Sequence, residues 1–147
     1  MSREHLYKAK RANWRELPKD KWWVEGYFIE QNHPEYHAYI VKYINIEIDN
    51  RYIDILEHDI VEIEPETICE YTGLIDRKNM KIFENDIFHI GDKNIPYFVE
   101  WHNTRFTGKA VRAGDRVGLL YWNWRECIEI MGNLHDNPEL LKGDEAE

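Results

Sequence analysis

Three acidic side chains near the middle of the chain could take part in catalysis or bind a metal ion. Asp76, Glu84 and Asp86 lie in one short stretch, "DRKNMKIFEND". Two carboxylates held close together can act as acid and base or as a nucleophile, and carboxylate oxygens also bind divalent cations. The same stretch contains Arg77 and Lys81, however, and its acidic residues follow no metal-ligand spacing. We therefore expect structural roles for these carboxylates, with no catalytic residue and no metal site.

Histidine, cysteine and serine form no stronger catalytic pattern. His33 and His37 are four residues apart, which would suit a metal site on a helix, but Pro34 and Tyr36 favour a loop or a strand. Cys127 has no histidine partner at a distance that the sequence defines. The chain has a single serine, no GxSxG or HExxH motif and no Gly-rich phosphate loop. We predict that the protein is not an enzyme and binds no cofactor.

Residues 101–125 combine basic and aromatic side chains. They include five basic residues and a single acidic one, interleaved with tryptophan, tyrosine and phenylalanine. Single-stranded nucleic acid is bound by such sets, because aromatic rings stack on any base and cations follow the phosphates. The predicted contact residues are Trp101, Arg105, Lys109, Arg112, Trp122, Trp124 and Arg125. More often, such rings belong to a core and the Arg side chains cover them, so both interpretations stay open.

A second candidate surface is acidic. Residues 24–66 carry 2 basic and 11 acidic side chains. A negative surface of this kind could imitate DNA and capture a basic host protein through complementary charge. The residues predicted for this alternative contact are Glu57, Asp59, Glu62 and Glu64. Such a run is more often the solvated face of a sheet.

The composition indicates a folded protein, which we place in the cytoplasm. A length of 147 residues suits one domain or two small ones, and 43% hydrophobic with 14% aromatic residues is too many for a disordered chain. The net charge of -9 argues against nonspecific coating of DNA. No apolar run is long enough to cross a bilayer, and the first residues lack the apolar core of a secretory signal. Cys69 and Cys127 suggest no disulfide framework.

Alternating apolar residues predict strands in the first half of the chain. Ile44, Ile46 and Ile48 alternate with polar residues, which is the period of a half-buried strand. Residues 22–29 are rich in aromatic and β-branched side chains, which strands favour. We predict an N-terminal β-meander at residues 1–66.

The second half contains short strands separated by turn residues. After Gly73, we predict strands at residues 87–90, 97–101, 105–111, 117–122 and 128–131. Five short strands with tight spacing suggest a small barrel. A short helix is expected near the end of the chain, because Asp136 or Asn137 can cap it and Pro138 fits its first turn. Residues 67–147 are therefore predicted to form an SH3-like barrel on which the meander packs.

Two turns bracket a pair of apolar residues in the central stretch. Asn79 is placed to adopt a positive φ, which asparagine tolerates better than other residues with a side chain, and Asn85 with Asp86 supplies a second turn. Between them lie Ile82 and Phe83, which we expect to close one end of the barrel. Turn geometry accounts for the residue types of this stretch without any catalytic role.

The same stretch resembles the signature of a known family, the YopX-like proteins of bacteriophages and prophages of Gram-positive bacteria. Their central "YTGL-D-NG-IYEGDIV" pattern matches this chain at the structural signature residues Tyr71, Gly73, Leu74, Ile82, Phe83 and Asp86. Further matches are "YKAKR", "WVEGY", "PETICEYTGL", "VEW" and "GNLHDNPELL", so the resemblance covers nearly the whole chain. Met80 and Asn85 stand where the family usually has glycine, so the resemblance implies a positive φ at Asn85, which asparagine tolerates, and a different local turn type at Met80. The resemblance implies a mainly β protein with an SH3-type C-terminal part, and it implies no established activity.

These inferences combine into an expectation about function. We expect a phage or prophage protein that acts in the bacterial cytosol as a non-enzymatic binding or regulatory module. The partner is unknown, and nucleic acid or a host protein are the two alternatives. No membrane contact is expected. Strands such as "YINIEI" could leave an edge that a second copy covers, so a homo-oligomer is also possible.

Overall fold

The structure, a computed structural model, describes residues 5–42, 45–47, 52–54, 59–112, 116–119 and 124–141. Its secondary structure is mainly β, which confirms the coarser part of the predicted fold class. The described strands are β1 Tyr7–Lys10, β2 Trp23–Gln31, β3 His37–Val41, β4 Asn45–Glu47, β5 Tyr52–Asp54, β6 Ile60–Glu62, β7 Cys69–Ile75, β8 Lys81–Phe83, β9 Asp86–His89, β10 Tyr97–His102, β11 Arg105–Ala110, β12 Arg116–Gly118 and β13 Glu129–Asn133. One α-helix, α1, is described at Trp124–Cys127, and short 3-10 helices lie at Trp14–Glu16, Lys19–Lys21, Pro65–Thr67 and Pro138–Leu141.

The described strands form three antiparallel sheets. One has the order β6-β3-β2-β1-β7-β8, another has the order β12-β11-β10-β9-β13, and β4 pairs with β5 alone. The chain divides into two compact units, an N-terminal unit at Glu4–Glu70 and a C-terminal unit that contains Tyr71–Glu147. This boundary falls inside β7, whereas the sequence predicted a boundary after residue 66.

The N-terminal unit has a small core on one face of its sheet. Ala9 lies opposite Val24 in the β1–β2 register, and both side chains are buried. Ala38, Ile40 and Ile63 complete the buried cluster. Successive residues of a strand point to opposite faces, so Lys8 and Lys10 in β1 lie on the other face of the sheet. The strand predicted at residues 22–29 is confirmed as β2, whereas β3 was not predicted as a separate strand.

The C-terminal unit has its own core beside the five-stranded sheet. The buried cluster consists of Ile82, Phe88, Val99, Phe106, Leu119 and Ile128. The rings of Phe88 and Tyr97 stack with their centroids 5.5 Å apart. The strands predicted at residues 87–90, 97–101, 105–111 and 128–131 correspond to β9, β10, β11 and β13. The predicted strand at residues 117–122 is described only as far as β12 and Leu119.

The closed SH3-like barrel that the sequence predicted is not found among the described strands. The five-stranded sheet is open, with β12 and β13 at its two ends. Closing a sheet requires strand pairing around the whole ring with a consistent tilt and stagger. β12 has only 3 residues, and α1 lies between β12 and β13 in the chain. The predicted C-terminal helix is a single 3-10 turn, Pro138–Leu141.

Asp76 ties the signature turn to a distant strand. Its side chain is 1% exposed. Oδ1 accepts hydrogen bonds from the backbone N–H groups of Lys78 at 2.8 Å and Met80 at 2.9 Å, and Oδ2 accepts one from Ile130 at 3.0 Å. In the same turn, the Lys78 ammonium lies 3.2 Å from the carboxylate of Glu129. The hydrogen bond from Lys78 is the largest cause that holds the pKa of Glu129 below its ordinary value. The expectation of a structural role for Asp76 therefore agrees with its contacts.

The second signature turn is held in the same way. Asn79 and Asn85 have φ values of 66° and 72°, as predicted for these two positions. The carboxylate of Asp86, 2% exposed, accepts the backbone N–H of Phe83 at 2.8 Å. Ile82 and Phe83 are buried between the turns. A buried carboxylate that accepts backbone N–H groups satisfies donors that would otherwise be left without partners.

Candidate nucleic-acid interface

A cleft of about 280 Å³ opens beside the hairpin that joins β10 to β11. Its lining is mostly apolar and comes from four strands or their ends: Thr72, Leu74, Trp101, Thr104, Arg105, Phe106, Gly118 and Leu119. The signature strand β7 forms one wall. There the Thr72 hydroxyl donates to the Ile82 carbonyl at 2.7 Å and accepts the Leu74 N–H at 3.2 Å. The signature thus positions part of the cleft.

The hairpin turn presents two cleft residues through an unusual backbone. His102 pairs with Arg105, so Asn103 and Thr104 form a two-residue turn, and both have positive φ, 51° and 66°. Positive φ at both central residues is the geometry of a type I′ turn, which matches the twist of a hairpin. Asparagine tolerates this region, whereas a β-branched threonine is strained there. Strained residues of this kind cluster at functional sites, so Thr104 marks this hairpin as a candidate site.

Trp101 offers an exposed indole at the mouth of the cleft. Its side chain is 48% exposed, which is unusual for tryptophan. The indole is held by an edge-to-face contact with Phe106, with ring centroids 4.8 Å apart and planes at 76°. Because Trp101 pairs with Phe106 in the β10–β11 register, both rings lie on the core face of the sheet. The indole is therefore fixed on one side and open to solvent on the other.

Arg105 reaches the same cleft from the opposite face of β11. It precedes Phe106 in the strand, so its side chain starts on the outer face of the sheet. The guanidinium then lies beside Gly118, since a Cβ built on that glycine would be 3.7 Å from Arg105 Nη1. Within the described part of the chain, no salt bridge to Arg105 is present. Its charge is therefore available to an anion at the mouth of the cleft.

Three other predicted contact residues, Lys109, Arg112 and Arg125, do not line this cleft. The Lys109 ammonium lies 6.0 Å from the ring centroid of Phe98, and Arg112 is exposed beyond the far end of β11. Arg125 is exposed on α1, and the side chain of Trp124 and all of Trp122 lie outside the described residues. Trp101 and Arg105 are thus the predicted residues that the structure brings together.

Sequence reasoning did not predict the other six residues that line the cleft as contacts: Thr72, Leu74, Thr104, Phe106, Gly118 and Leu119. Leu74 was recognised only as part of the signature, and a threonine with positive φ has no sequence signal of its own. Another basic side chain of the stretch, Arg116, is occupied by Glu100, to which its Nε donates at 2.8 Å. Sequence composition could not separate such a paired cation from an available one.

The predicted acidic surface is engaged by neighbouring side chains where it is described. Glu57 lies outside the described residues, and Asp59 is half-buried. Glu64 accepts a hydrogen bond from the Trp14 indole N–H and lies 3.8 Å from Arg15. The alternative of an acidic surface that captures a host protein stays a prediction.

The fourth acidic residue, Glu62, forms a pair with His37 across β3 and β6. Glu62 Oε2 is 3.0 Å from His37 Nδ1, and Glu35 Oε2 is 3.4 Å from the other ring nitrogen. These carboxylates raise the pKa of His37 above its ordinary value, with the Glu62 hydrogen bond as the largest cause. Desolvation opposes them by lowering it.

We expect this pair to make stability depend on pH. A raised folded-state pKa means that the pair stabilises the fold fully below the unfolded-state pKa of about 6.5, and that this contribution is lost as pH rises through the folded-state pKa. An NMR titration of the His37 ring is expected to show the raised pKa. The substitution Glu62→Gln should lower the pKa of His37 more than Glu35→Gln does. Equal titration in the wild type and in Glu62→Gln would contradict the assignment.

No group of three or more His, Cys, Asp or Glu side chains among the described residues is arranged to hold a metal ion. Within those same residues, no helix combines the length and apolar character needed to cross a membrane.

The family of the chain follows from comparison with known proteins. A family profile described as YopX protein matches residues 19–142, which is most of the chain. The protein belongs to the YopX family. This confirms the resemblance noted from the signature, and the matched range contains every residue of the cleft in this YopX-family protein. No curated protein matches its sequence.

A solved structure supports the fold of this YopX-family chain. The crystal structure of protein EF1440 from Enterococcus faecalis is similar with a TM-score of 0.58 and 17% sequence identity. The alignment covers 95% of this chain and 99% of that chain. At this identity the likeness concerns the fold alone.

Proposed function

We propose that this YopX-family protein is a non-enzymatic binding module that contacts single-stranded nucleic acid through the cleft beside the β10–β11 hairpin. One observation carries the proposal. Trp101 and Arg105 start on opposite faces of the sheet and both line the same cleft. An open aromatic face next to a cation without an ion pair among the described residues is the combination that unstacked bases and phosphates require.

The dimensions of the cleft favour a base rather than an enclosed ligand. Its volume of about 280 Å³ is just below the range of small-molecule sites, which span roughly 300–1,000 Å³. The apolar walls formed by Leu74, Phe106 and Leu119 would exclude water from one side of a base, while Trp101 stacks on it. Arg105 would contact the adjacent phosphate. None of these contacts reads a base edge, so we expect weak sequence preference.

We also propose where this binding module acts. The family resemblance connects the chain with bacteriophages and prophages, so the module would act in the cytosol of a bacterial host and regulate or protect single strands there. No cofactor is needed for binding of this kind.

Binding of a short labelled single strand, followed by fluorescence anisotropy, tests the cleft. We expect saturable binding that weakens steeply between about 50 and 200 mM salt. Trp101→Ala is expected to weaken binding about tenfold through lost stacking, and Trp101→Phe should retain much of it. Arg105→Gln is expected to reduce the slope of log affinity against log salt by about 0.7, the value for one phosphate contact on a single strand.

Matched controls separate the cleft from a general loss of fold. Met80 is 58% exposed and does not line the cleft. The variant Met80→Ala therefore removes an exposed apolar side chain and leaves the cleft unchanged. Lys93→Gln removes an exposed charge from the same unit. Absence of binding at low salt, or equal losses in Met80→Ala and Trp101→Ala, would remove this proposal.

A further inference from the structure

Five side chains of the N-terminal unit alternate between cation and indole. In order they are Arg15, Trp14, Lys10, Trp22 and Lys19, and we call them the cation ladder. The distances from cation to ring centroid along this order are 4.4, 3.8, 4.7 and 5.9 Å. Each step is within the range of about 6 Å in which a ring quadrupole attracts a cation. The two rings also contact each other edge to face at 4.7 Å.

The ladder lies on the face of the sheet opposite to the core of the N-terminal unit. Lys10 pairs with Trp23 in the β1–β2 register, one position along from the buried pair of Ala9 and Val24. Lys8 extends the arrangement, since its ammonium is 4.9 Å from the Trp23 ring centroid. Lys10 therefore extends from the outer face of this sheet toward the rings of Trp14 and Trp22, and the other cations of the ladder lie in the turns that carry these rings.

The rings are held by their own hydrogen bonds. The indole N–H of Trp14 donates to Glu64, and that of Trp22 donates to the carbonyl of Leu17 at 2.9 Å. Lys10 between them is only 4% exposed, so it acts as the inner rung that keeps both rings in place. The ladder is therefore assembled before any partner arrives.

The outer cations of the ladder present their charges to solvent. The side chain of Arg15 is 68% exposed and forms a salt bridge of 3.8 Å with Glu64, and Lys19 is exposed. Lys21, also exposed, follows Lys19 in the same 3-10 turn. The exposed acids of these turns are Glu16 and Asp20, so the cations are in excess.

A cation held over a ring remains able to bind an anion. An exposed cation–π contact is weak, and the N–H donors of the cation can still point outward. The contact does restrict the long side chain, and ordering such a side chain on binding otherwise costs conformational entropy. The ladder thus supplies cations that are partly pre-organised.

We propose that the cation ladder contacts the phosphate backbone of single-stranded nucleic acid without contacting its bases. The proposal rests on the proposed function for the class of partner. The ladder is expected to bind differently from the cleft. Cations already cover the faces of Trp14 and Trp22, so these rings offer little surface for base stacking. The cleft would bind a base, and the ladder would bind phosphates of any sequence.

An abasic oligonucleotide, which has the sugar–phosphate backbone but no bases, separates the two surfaces. We expect the full-length protein to bind it at low salt. The triple variant Arg15→Gln, Lys19→Gln and Lys21→Gln should bind it about tenfold less tightly at about 50 mM salt, with a slope of log affinity against log salt reduced by about 2, since each phosphate contact on a single strand contributes roughly 0.7. Trp101→Ala should leave binding of the abasic strand unchanged.

Controls distinguish the ladder from net charge and from the cleft. Lys42 is an exposed lysine of the same unit outside the ladder, and Lys42→Gln is expected to change the salt slope little. If the abasic strand binds the triple variant as tightly as the wild type, the ladder proposal is overturned. This conclusion does not depend on the results for the cleft variants. Loss of binding in Trp101→Ala only with base-containing strands would leave the cleft proposal intact.

Binding to lipid vesicles tests a different source of phosphate. Vesicles of anionic phospholipid present clustered phosphate groups on a surface instead of a chain. We expect weak binding to such vesicles compared with the abasic strand. Tighter binding to vesicles, lost in the triple variant, would assign the ladder to a membrane surface and overturn the nucleic-acid proposal.

Discussion

Replacing Asp76 by alanine is expected to lower the free energy of unfolding by about 4.5 kcal/mol, the lower limit for the three hydrogen bonds that it removes, because each hydrogen bond to a charged group contributes roughly 1.5–3 kcal/mol. The carboxylate is buried and accepts the backbone N–H groups of Lys78, Met80 and Ile130. Without it, these donors lose their shared acceptor in a place that water reaches poorly. The turn after β7 would also lose its link to β13.

Urea unfolding of the full-length protein measures this effect as a shift of the transition midpoint. Asp76→Asn keeps one acceptor oxygen but directs an amide N–H₂ toward one of the donors, so we expect a smaller yet clear loss. Asp92→Ala is the matched control, since the Asp92 carboxylate accepts one backbone N–H, that of Asn94, in an exposed loop. A cost for Asp76→Ala no larger than that of Asp92→Ala would mean that the signature carboxylate does not hold the fold.

Replacing Gly26 by alanine is expected to destabilise the N-terminal unit by on the order of 3 kcal/mol, the upper part of the range for overpacking. A Cβ on this residue would lie 2.2 Å from the carbonyl oxygen of Val41 and 2.9 Å from a methyl carbon of Ile40. The first of these is a backbone atom in the neighbouring strand, so a rotamer change cannot relieve the contact. Relief requires that β2 and β3 move apart.

A second glycine serves as the control for this prediction. At Gly118 the nearest atoms to a new Cβ belong to the flexible Arg105 side chain, 3.7 Å away, so Gly118→Ala should be nearly neutral in urea unfolding. Hydrogen exchange adds a local measurement, because loss of pairing between β2 and β3 should expose the amides of those strands first. Equal stability of Gly26→Ala and the wild type would show that the strands accommodate a methyl group.

The candidate site was only partly predictable from the sequence. Trp101 and Arg105 were chosen because aromatic and basic residues alternate there, and they do share a cleft. The same composition rule selected Lys109 and Arg112, which lie elsewhere, and it could not show that Arg116 is paired with Glu100. Pairing and exposure depend on which strands become neighbours, and a local pattern contains no such information.

The N-terminal cation ladder was not recognised as a contact surface from the sequence. Lys10, Trp14 and Trp22 are several residues apart, in a strand and two short turns, and no periodicity joins them. Only the return of the chain through Pro18 places both rings against Lys10. The signal available in the sequence was the basic excess of residues 1–23, which carry 7 basic and 3 acidic side chains.

The sequence by itself determined the class of fold, the family, and the turns at Asn79 and Asn85, because period-two alternation and tolerance of positive φ are properties of short segments. Tertiary structure alone decided that the C-terminal sheet stays open among its described strands, that Asp76 accepts the backbone N–H of the distant Ile130, and that Trp101 faces solvent while Phe106 does not. These outcomes depend on contacts between segments far apart in the chain. A side chain is buried, paired or available only once those segments have met.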